Sequence, residues 1–224
     1  MNGHTFNFCD TTLIARPSGT LHWPARNLLC VSDLHLGKSE RIARRGGTML
    51  PPYETHDTLM RLEQEISLLN PETVICLGDS FDDLAAGLAM TQGDRAGLAR
   101  LMAGRSWVWI EGNHDPGAVD LAGHHLAQFN AGPLVFRHIA TPTRGEISGH
   151  YHPKVTLPLK GHHISRPCFL IDRTRVIMPA FGTYTGGLRC NDPALNTLMA
   201  PGAIAVITGP KAHAFPMDRR KKTG

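Results

Sequence analysis

The sequence predicts an α/β protein in which two mixed β-sheets pack face to face and are flanked by helices. Short apolar runs alternate with helical patterns in the first half of the chain, whereas the second half contains mostly strand-like runs. The 224 residues are 42% hydrophobic and 19% charged, which is typical of a globular protein. A chain of this length suits one domain, so we expect a single domain over residues 1–224.

Three apolar runs in the first half are predicted to be strands buried on both faces. They span residues 28–31, 74–77 and 107–110. The connection after the first run has a helical pattern that ends at Asn70-Pro71, and the connection after the second is predicted to be helical with a break at Gly93. Because ligands collect at the carboxyl ends of strands in open α/β sheets, the polar residues that follow these runs should share one edge.

The second half contains strand-like runs that predict a second sheet packed on the first. These runs are residues 134–136, 145–148, 169–172, 175–178 and 203–207. Arg173-Thr174 is predicted to form a hairpin turn, and the segment after Gly209-Pro210 is expected to pair with the preceding run.

The formal net charge of +4 permits a polyanionic substrate without requiring one. Part of the positive charge lies in a basic tail, 218–224, which we expect to be disordered. The five cysteines follow no disulfide or zinc-binding spacing, and the sequence contains neither a secretory signal nor an apolar run long enough to span a membrane. We therefore expect a cytoplasmic protein without a membrane partner.

Several polar residues follow the predicted strands in patterns suited to metal binding. The patterns are Asp33-Leu34-His35, Gly78-Asp79, Gly112-Asn113-His114-Asp115, a lone His138, and Gly149-His150-Tyr151-His152. Alternate residues of an extended segment share a face, so each pair separated by one residue can reach one ion. Each element alone has an ordinary alternative, such as a helix cap for Asp79 or a surface position for a lone histidine. His162-His163 is excluded because it follows a predicted turn, Lys160-Gly161.

Taken together, these ordered patterns resemble the calcineurin-like metallophosphoesterase superfamily. The resemblance implies a four-layer αββα fold and two metal ions. One ion would be bound by Asp33, His35, Asp79 and His152, and the other by Asp79, Asn113, His138 and His150.

Longer segments resemble one bacterial branch, the ligase-associated DNA-damage-response endonuclease (PdeM) group. The segments are residues 34–53, 145–153 and 179–188. The sequence departs from the group at Asp82-Asp83, where a histidine is expected after the first aspartate, and after His138, where Ile139-Ala140 replaces Glu-Pro. The resemblance implies single-stranded DNA as a substrate and DNA ligase or helicase repair proteins as partners.

The mechanistic hypothesis is hydrolysis of a phosphate ester by two divalent ions. His114 is expected to donate a proton to the leaving oxygen, and Asp115 or Asp82 to orient a histidine ligand. Nitrogen and oxygen ligands without thiolates suit Mn²⁺, Fe or Zn²⁺, and we expect Mn²⁺ to support activity best. Arg44 and Arg45 are candidates to bind substrate phosphates, although a solvated helix face explains them equally well.

Two other functions fit the same sequence. The enzyme could hydrolyse a small nucleotide or another small phosphoester instead of DNA. Alternatively, the chain could be a metal-binding scaffold without catalytic activity, although its complete ligand set argues against that interpretation.

Overall fold

The computed structural model describes residues 2–117, 121–159 and 162–217, with backbone alone at residues 158 and 159. The predicted basic tail, 218–224, and the predicted turn Lys160-Gly161 lie outside these residues. The α-helices in the described ranges are α1 (Lys38–Arg44), α2 (Glu54–Leu69), α3 (Leu84–Leu88), α4 (Gln92–Met102) and α5 (Pro193–Leu198). In the same ranges, no helix is long and apolar enough to cross a membrane.

Within the described ranges, the first sheet contains seven strands in the order β1-β2-β3-β4-β5-β6-β7. The strands are β1 (His4–Phe8), β2 (Thr11–Ala15), β3 (Leu21–Trp23), β4 (Leu28–Val31), β5 (Thr73–Leu77), β6 (Ser106–Ile110) and β7 (His124–Leu126). Neighbouring strands from β4 to β7 are parallel, and β1 to β3 extend the sheet in antiparallel fashion.

The second sheet has the order β15-β14-β12-β13-β10-β9-β8, and β11 pairs only with β12 among the described strands. The strands are β8 (Gln128–Ala131), β9 (Leu134–Arg137), β10 (Glu146–Ser148), β11 (Lys154–Leu159), β12 (His162–Ile171), β13 (Arg175–Ile177), β14 (Ile204–Ile207) and β15 (His213–Pro216). Because β9, β10 and β13 are parallel, their carboxyl ends meet at one edge. The two predicted strand pairs, β12 with β13 and β14 with β15, are confirmed.

Three buried clusters separate four layers and confirm the predicted sandwich. The central cluster joins the facing sides of the sheets, with Cys30 and Ile75 from the first and Phe136 and Val176 from the second. The other face of the first sheet packs under α2 and α4, and the other face of the second sheet packs against α5. Strands β4, β5 and β6 are apolar on both faces because both of their faces are covered.

The helices follow the sequence prediction with one correction. Helix α2 ends where expected, and Asn70 adopts the left-handed conformation (φ 43°) that often terminates a helix. The second connection breaks at residues 89–91 and not at Gly93, which lies inside α4. Helix α4 begins there because the Thr91 side chain accepts the backbone N–H of Asp94.

Candidate metal centre

Seven polar side chains predicted as metal ligands converge from the carboxyl ends of five strands. Asp33 and His35 follow β4, Asp79 follows β5, Asn113 follows β6, His138 follows β9, and His150 and His152 follow β10. The two sheets thus contribute to one polar edge, as the rule for parallel strands predicts. The ligand atoms there form two groups, which we call the Asp33 cluster and the Asp79 cluster.

The Asp33 cluster consists of Asp33, His35 and His152, with ligand atoms that lie within 4.8 Å of one another. The Nε2 atoms of His35 and His152 face each other at 3.4 Å, and His152 Nε2 lies 3.0 Å from Asp33 Oδ1. Asp33 is fully buried, and its other carboxylate oxygen accepts the hydroxyl of Ser32 and the backbone N–H of His150. Ser32 was not predicted as a site residue.

The Asp79 cluster consists of Asp79, His138 and His150, and the amide of Asn113 joins it. His138 Nε2 lies 3.2 Å from Asp79 Oδ2, 3.0 Å from Asn113 Oδ1 and 3.3 Å from His150 Nδ1. The other ring nitrogen of His138, Nδ1, donates to the carbonyl of Leu77 at 2.9 Å. His138 had no surrounding motif in the sequence, yet the structure places it at the centre of this cluster.

The donor atoms of both clusters fit a divalent cation. Since His138 Nδ1 holds a proton for Leu77, the neutral ring has its lone pair on Nε2, aimed at the oxygens of Asp79 and Asn113. Electron-rich atoms packed this closely require a proton or a metal ion between them. Imidazole nitrogens, carboxylate oxygens and an amide oxygen are ligands that divalent first-row metals accept.

The charges within the Asp79 cluster shift its pKa values strongly. Burial alone would lower the pKa of His138, but its contact with Asp79 and the negative charges of Asp33 and Asp79 outweigh burial and raise it to about 9. Burial would likewise raise the pKa of Asp79, but the contacts with His138 and the backbone of His114 lower it to about 2. Burial and the positive charge of His138 lower the pKa of His150. A proton on His138 therefore occupies the position that a cation would take.

Asp82, for which a role in orienting a histidine was predicted, contacts His35 of the Asp33 cluster. Its carboxylate lies 2.8 Å from His35 Nδ1, so His35 presents Nε2 to the cluster. Asp82 also pairs with Arg41 and lies 3.5 Å from Lys38 Nζ, and it is fully buried. A carboxylate oxygen of Asp82 also lies within 4.8 Å of ring nitrogens of His35 and His114. The positive charges of Lys38 and Arg41 beside Asp82 disfavour a third metal ion at this position.

Asp115 clamps two loops together through the backbone. Its carboxylate accepts the N–H groups of Asp79, Ser80, Phe81 and Gly112 at 2.8–3.1 Å. Burial and the negative charge of Asp79 nevertheless raise its pKa to about 6. No histidine of the described residues hydrogen-bonds to Asp115, so the structure supports loop positioning and gives no support to its predicted role in orienting a histidine.

His114 lies between the two clusters. Its Nδ1 lies 2.9 Å from the carbonyl oxygen of Asp82, and its ring packs edge-on against His35 with centroids 5.2 Å apart. Its backbone N–H donates to Asp79 Oδ1 at 2.8 Å. With Nδ1 held by a carbonyl, the Nε2 atom of His114 is available to a substrate.

Two motif glycines are explained by close approach of the loops. A Cβ atom on Gly112 would lie 2.2 Å from Asp79 Oδ1, and one on Gly149 would lie 1.9 Å from Ser32 Oγ. Either side chain would push apart segments that carry the ligands. Glycine at these positions therefore allows the strand ends to meet.

Five of the seven predicted ligands have a left-handed backbone conformation. The φ angle is positive at Asp33 (52°), His35 (45°), Asp79 (46°), His150 (68°) and His152 (45°). Neighbouring loops hold this conformation, because the backbone N–H of Asp33 donates to the carbonyl of Gly78 and that of His35 to the carbonyl of Asp79. Unusual backbone conformations concentrate at functional sites, where the surrounding structure maintains them.

Arg44 and Arg45, the predicted phosphate contacts, lie at the end of α1 and both pair with Asp83. Arg44 also pairs with Glu40, one turn earlier in the helix. Asp83 in addition accepts the backbone N–H of Ala86 and caps α3. Both guanidinium groups are exposed but already have carboxylate partners, so the structure gives substrate binding no direct support.

Comparison with known proteins shows the family. The model of the calcineurin-like phosphoesterase family matches residues 26–171, which carry all the predicted ligands. The chain is also similar to a solved structure, the nuclease MPE of Pseudomonas putida, with a TM-score of 0.76 and 25% sequence identity over 96% of this chain and 100% of that one. None of the curated protein sequences compared with the chain matches it.

The chain therefore belongs to the calcineurin-like phosphoesterase family. It is a metal-dependent hydrolase of phosphate esters, in agreement with the enzyme class that the sequence predicts. The scaffold alternative is accordingly less well supported than an enzyme.

Proposed function

We propose that this enzyme uses two divalent metal ions to cleave phosphodiester bonds in single-stranded DNA. Among the divalent metals, Mn²⁺ is proposed to support activity best. The observation that carries the proposal is the convergence of the Asp33 and Asp79 clusters at one polar edge. The similarity to a bacterial nuclease over nearly the whole chain supports a nucleic acid as the substrate.

In this proposal, Asp33, His35 and His152 would hold one ion, Asn113, His138 and His150 would hold the other, and Asp79 would contribute to both. The bound ions would supply the Lewis acidity that activates water and stabilises charge on the phosphate. Asp82 and Leu77 fix the rings of His35 and His138, respectively, so that Nε2 of each ring faces its cluster. Asp115 keeps the loops of Asp79 and Asn113 in register through the backbone.

His114 is the proposed proton donor to the leaving oxygen. The carbonyl of Asp82 orients the ring through Nδ1, which leaves Nε2 to contact the substrate. A protonated imidazole would donate the proton from Nε2 and be restored from solvent, since His114 is partly exposed.

The cleft beside the Asp79 cluster has room for a substrate. A cavity of about 420 Å³ is lined by Asn113, His138, Arg137 and Gln128, among others. A cavity of about 530 Å³ lies at the turn between β1 and β2, but none of the ligand residues lines it. We assign substrate binding to the cavity of about 420 Å³ because proposed ligands of the Asp79 cluster line it. Arg44 and Arg45 are proposed to bind substrate phosphates, which requires that a phosphate take the place of Asp83 as their partner.

The resemblance to ligase-associated endonucleases leads us to propose a cytoplasmic role in DNA repair beside a ligase or helicase. The chemistry of the product ends tests this role, because a ligase joins a 5′-phosphate to a 3′-hydroxyl. Cleavage that leaves ligatable ends would support the proposal, and blocked ends would contradict it.

The decisive experiment follows cleavage of end-labelled single-stranded DNA by Mn²⁺-loaded protein. The variants are His114→Ala and His213→Ala, the latter a matched control on the exposed strand β15. We expect internal cuts by the wild type and the control, and roughly 100- to 10,000-fold slower cutting by His114→Ala. Metal content is measured on every sample. Intact DNA with two bound ions would contradict the DNA substrate and favour a small phosphoester.

A further inference from the structure

The loop of residues 181–188 is attached at both ends to segments that carry proposed ligands. At its start, the backbone N–H groups of Phe181 and Gly182 donate to the carbonyls of Ser32 and Asp33 at 2.8 and 3.0 Å. At its end, the N–H of Leu188 donates to the carbonyl of Tyr151 at 3.2 Å. The loop is therefore held beside the Asp33 cluster.

Tyr184 lies in the middle of this loop and contacts a second tyrosine. Its backbone is left-handed (φ 64°), and its ring centroid lies 6.2 Å from that of Tyr53. Thr183 anchors this part of the loop, because its hydroxyl donates to Asp57 and its backbone N–H to Thr58, both on α2. The backbone that carries Tyr184 is thus anchored to α2.

Tyr53 lies next to residues that make a separate set of contacts. It directly precedes α2, whose first residues hold the start of α1: Thr55 Oγ1 accepts the N–H of Gly37, and Glu54 Oε1 accepts that of Ser39. Gly37 follows His35 by two residues. Two distant segments of the chain, each hydrogen-bonded to residues close to Asp33 or His35 in the sequence, therefore bring this aromatic pair together.

Both tyrosines have solvent-exposed surface, although the hydroxyl oxygen of Tyr184 is buried. Tyr53 is 58% exposed and Tyr184 is partly exposed, whereas Trp107 and Trp109 are buried in the first sheet. An exposed aromatic ring held in place by its neighbours loses little freedom when a flat group stacks on it. Every nucleobase offers such a face, and proteins that bind single-stranded nucleic acids without sequence preference use aromatic rings in this way.

We propose that Tyr53 and Tyr184 form a stacking platform for a base of the single-stranded substrate, near the phosphate that is cleaved. This inference rests on the proposed nuclease function. It assigns base recognition to the Asp33 side of the cleft and leaves the phosphate to the clusters. The platform contacts the flat face of the base, so it selects single strands over paired ones without selecting a sequence.

The test compares two matched oligonucleotides, one of ordinary single-stranded DNA and one in which tetrahydrofuran abasic units replace the nucleosides. Both offer the same phosphates, and only one offers bases. For the wild type, we expect kcat/KM to be roughly 5- to 100-fold higher on the DNA with bases, the range typical of one stacked base.

The variants Tyr53→Leu and Tyr184→Leu keep apolar packing but lose the aromatic ring. Each should reduce cleavage of ordinary DNA toward the rate on the abasic strand, while the abasic rate stays unchanged. Tyr53→Phe and Tyr184→Phe should retain the preference for bases. Phe215→Ala removes an exposed aromatic ring on β15 and serves as the control.

The outcomes separate this inference from the proposed function. Equal cleavage of both strands by the wild type would overturn the platform and leave the nuclease intact, as would variants that keep the full preference for bases. Cleavage of neither strand would overturn the nuclease function itself. If a leucine variant fails to fold, a scan of single abasic positions with the wild type decides, because a platform predicts one position whose base matters most.

Discussion

The Asp33 and Asp79 clusters contain the same kinds of ligand but differ in what supports their histidines. Each cluster has one carboxylate and two imidazoles. In the Asp33 cluster, His35 Nδ1 contacts the side chain of Asp82, whereas in the Asp79 cluster, His138 Nδ1 contacts the backbone carbonyl of Leu77. One support is a charged side chain that a mutation can remove, and the other is part of the sheet.

The two clusters should therefore respond differently to mutation of the residues that support their histidines. A carboxylate behind a ligating histidine raises the basicity of the ring and strengthens metal binding. Asp82 also links the Asp33 cluster to Arg41 on α1, so a change in that helix can reach the metal site. The Asp79 cluster depends instead on the backbone of β5 and on the clamp by Asp115.

The largest effect is expected from Asp79→Asn, because this carboxylate contacts His138 and the backbone of His114. We expect kcat to fall by well over roughly 100-fold, the upper range for residues that support a ligand without binding metal. Because Asp79 is the proposed shared ligand, we also expect metal to be lost from both clusters. Metal analysis beside single-turnover cleavage measures both. A variant that keeps both ions and cleaves at near wild-type rates would exclude Asp79 as a ligand.

A smaller effect, confined to the Asp33 cluster, is expected from Asp82→Asn. Loss of the charge behind His35 should weaken metal affinity there roughly 10- to 100-fold, because the ring is less basic and less firmly held. Titration with Mn²⁺ followed by electron paramagnetic resonance measures the two affinities.

Asp83→Asn is the matched control for that titration. Asp83 neighbours Asp82 but caps α3 and pairs with Arg44, without contact to a proposed ligand among the described residues. Its metal affinities should equal those of the wild type. Equal losses in both variants would show that the effect comes from α1 and α3 and not from His35.

The smallest effect for each pH unit is the expected pH dependence of stability and metal affinity at the Asp79 cluster. In the metal-free protein, the pKa of His138 is raised from its usual 6.5 to about 9. The proton on His138 therefore stabilises the metal-free fold fully below pH 6.5, and this stabilisation is lost as the pH rises through 9. Metal must displace this proton, so affinity should rise about tenfold per pH unit up to pH 9. Thermal unfolding with and without Mn²⁺ between pH 6.5 and 9 measures both trends; a gap between the two curves that does not widen with pH would contradict the assignment.

The parts of the fold that were predictable from the sequence are those with a strong local pattern. Strands β4, β5 and β6 were visible as continuous apolar runs because both of their faces are covered, and α2 was visible from its apolar spacing. The antiparallel strands β1 to β3 were not predicted, since short strands at a sheet edge mix polar and apolar residues. The break between α3 and α4 was placed at Gly93 because a capping threonine is a weaker signal than a glycine.

The candidate site shows the same division between local and distant information. Motifs at the strand ends brought out Asp33, Asp79 and Asn113, since each follows a recognisable run. The function of Asp115 was not predictable, because its partners are backbone N–H groups, which leave no mark on the sequence. The contact of Tyr53 with Tyr184 was likewise invisible, because it depends on how two remote loops are anchored.

The positive φ angles at five proposed ligands restrict which residues evolution can use there. Aspartate, asparagine and histidine are enriched several-fold among non-glycine residues with this backbone conformation, and the same three side chains offer oxygen or nitrogen to a cation. Backbone conformation and coordination chemistry thus independently favour the same three residue types. A change from one member to another tests the ligand alone, whereas alanine at these positions combines loss of a ligand with a backbone penalty, and alanine scanning would overstate the importance of each metal contact.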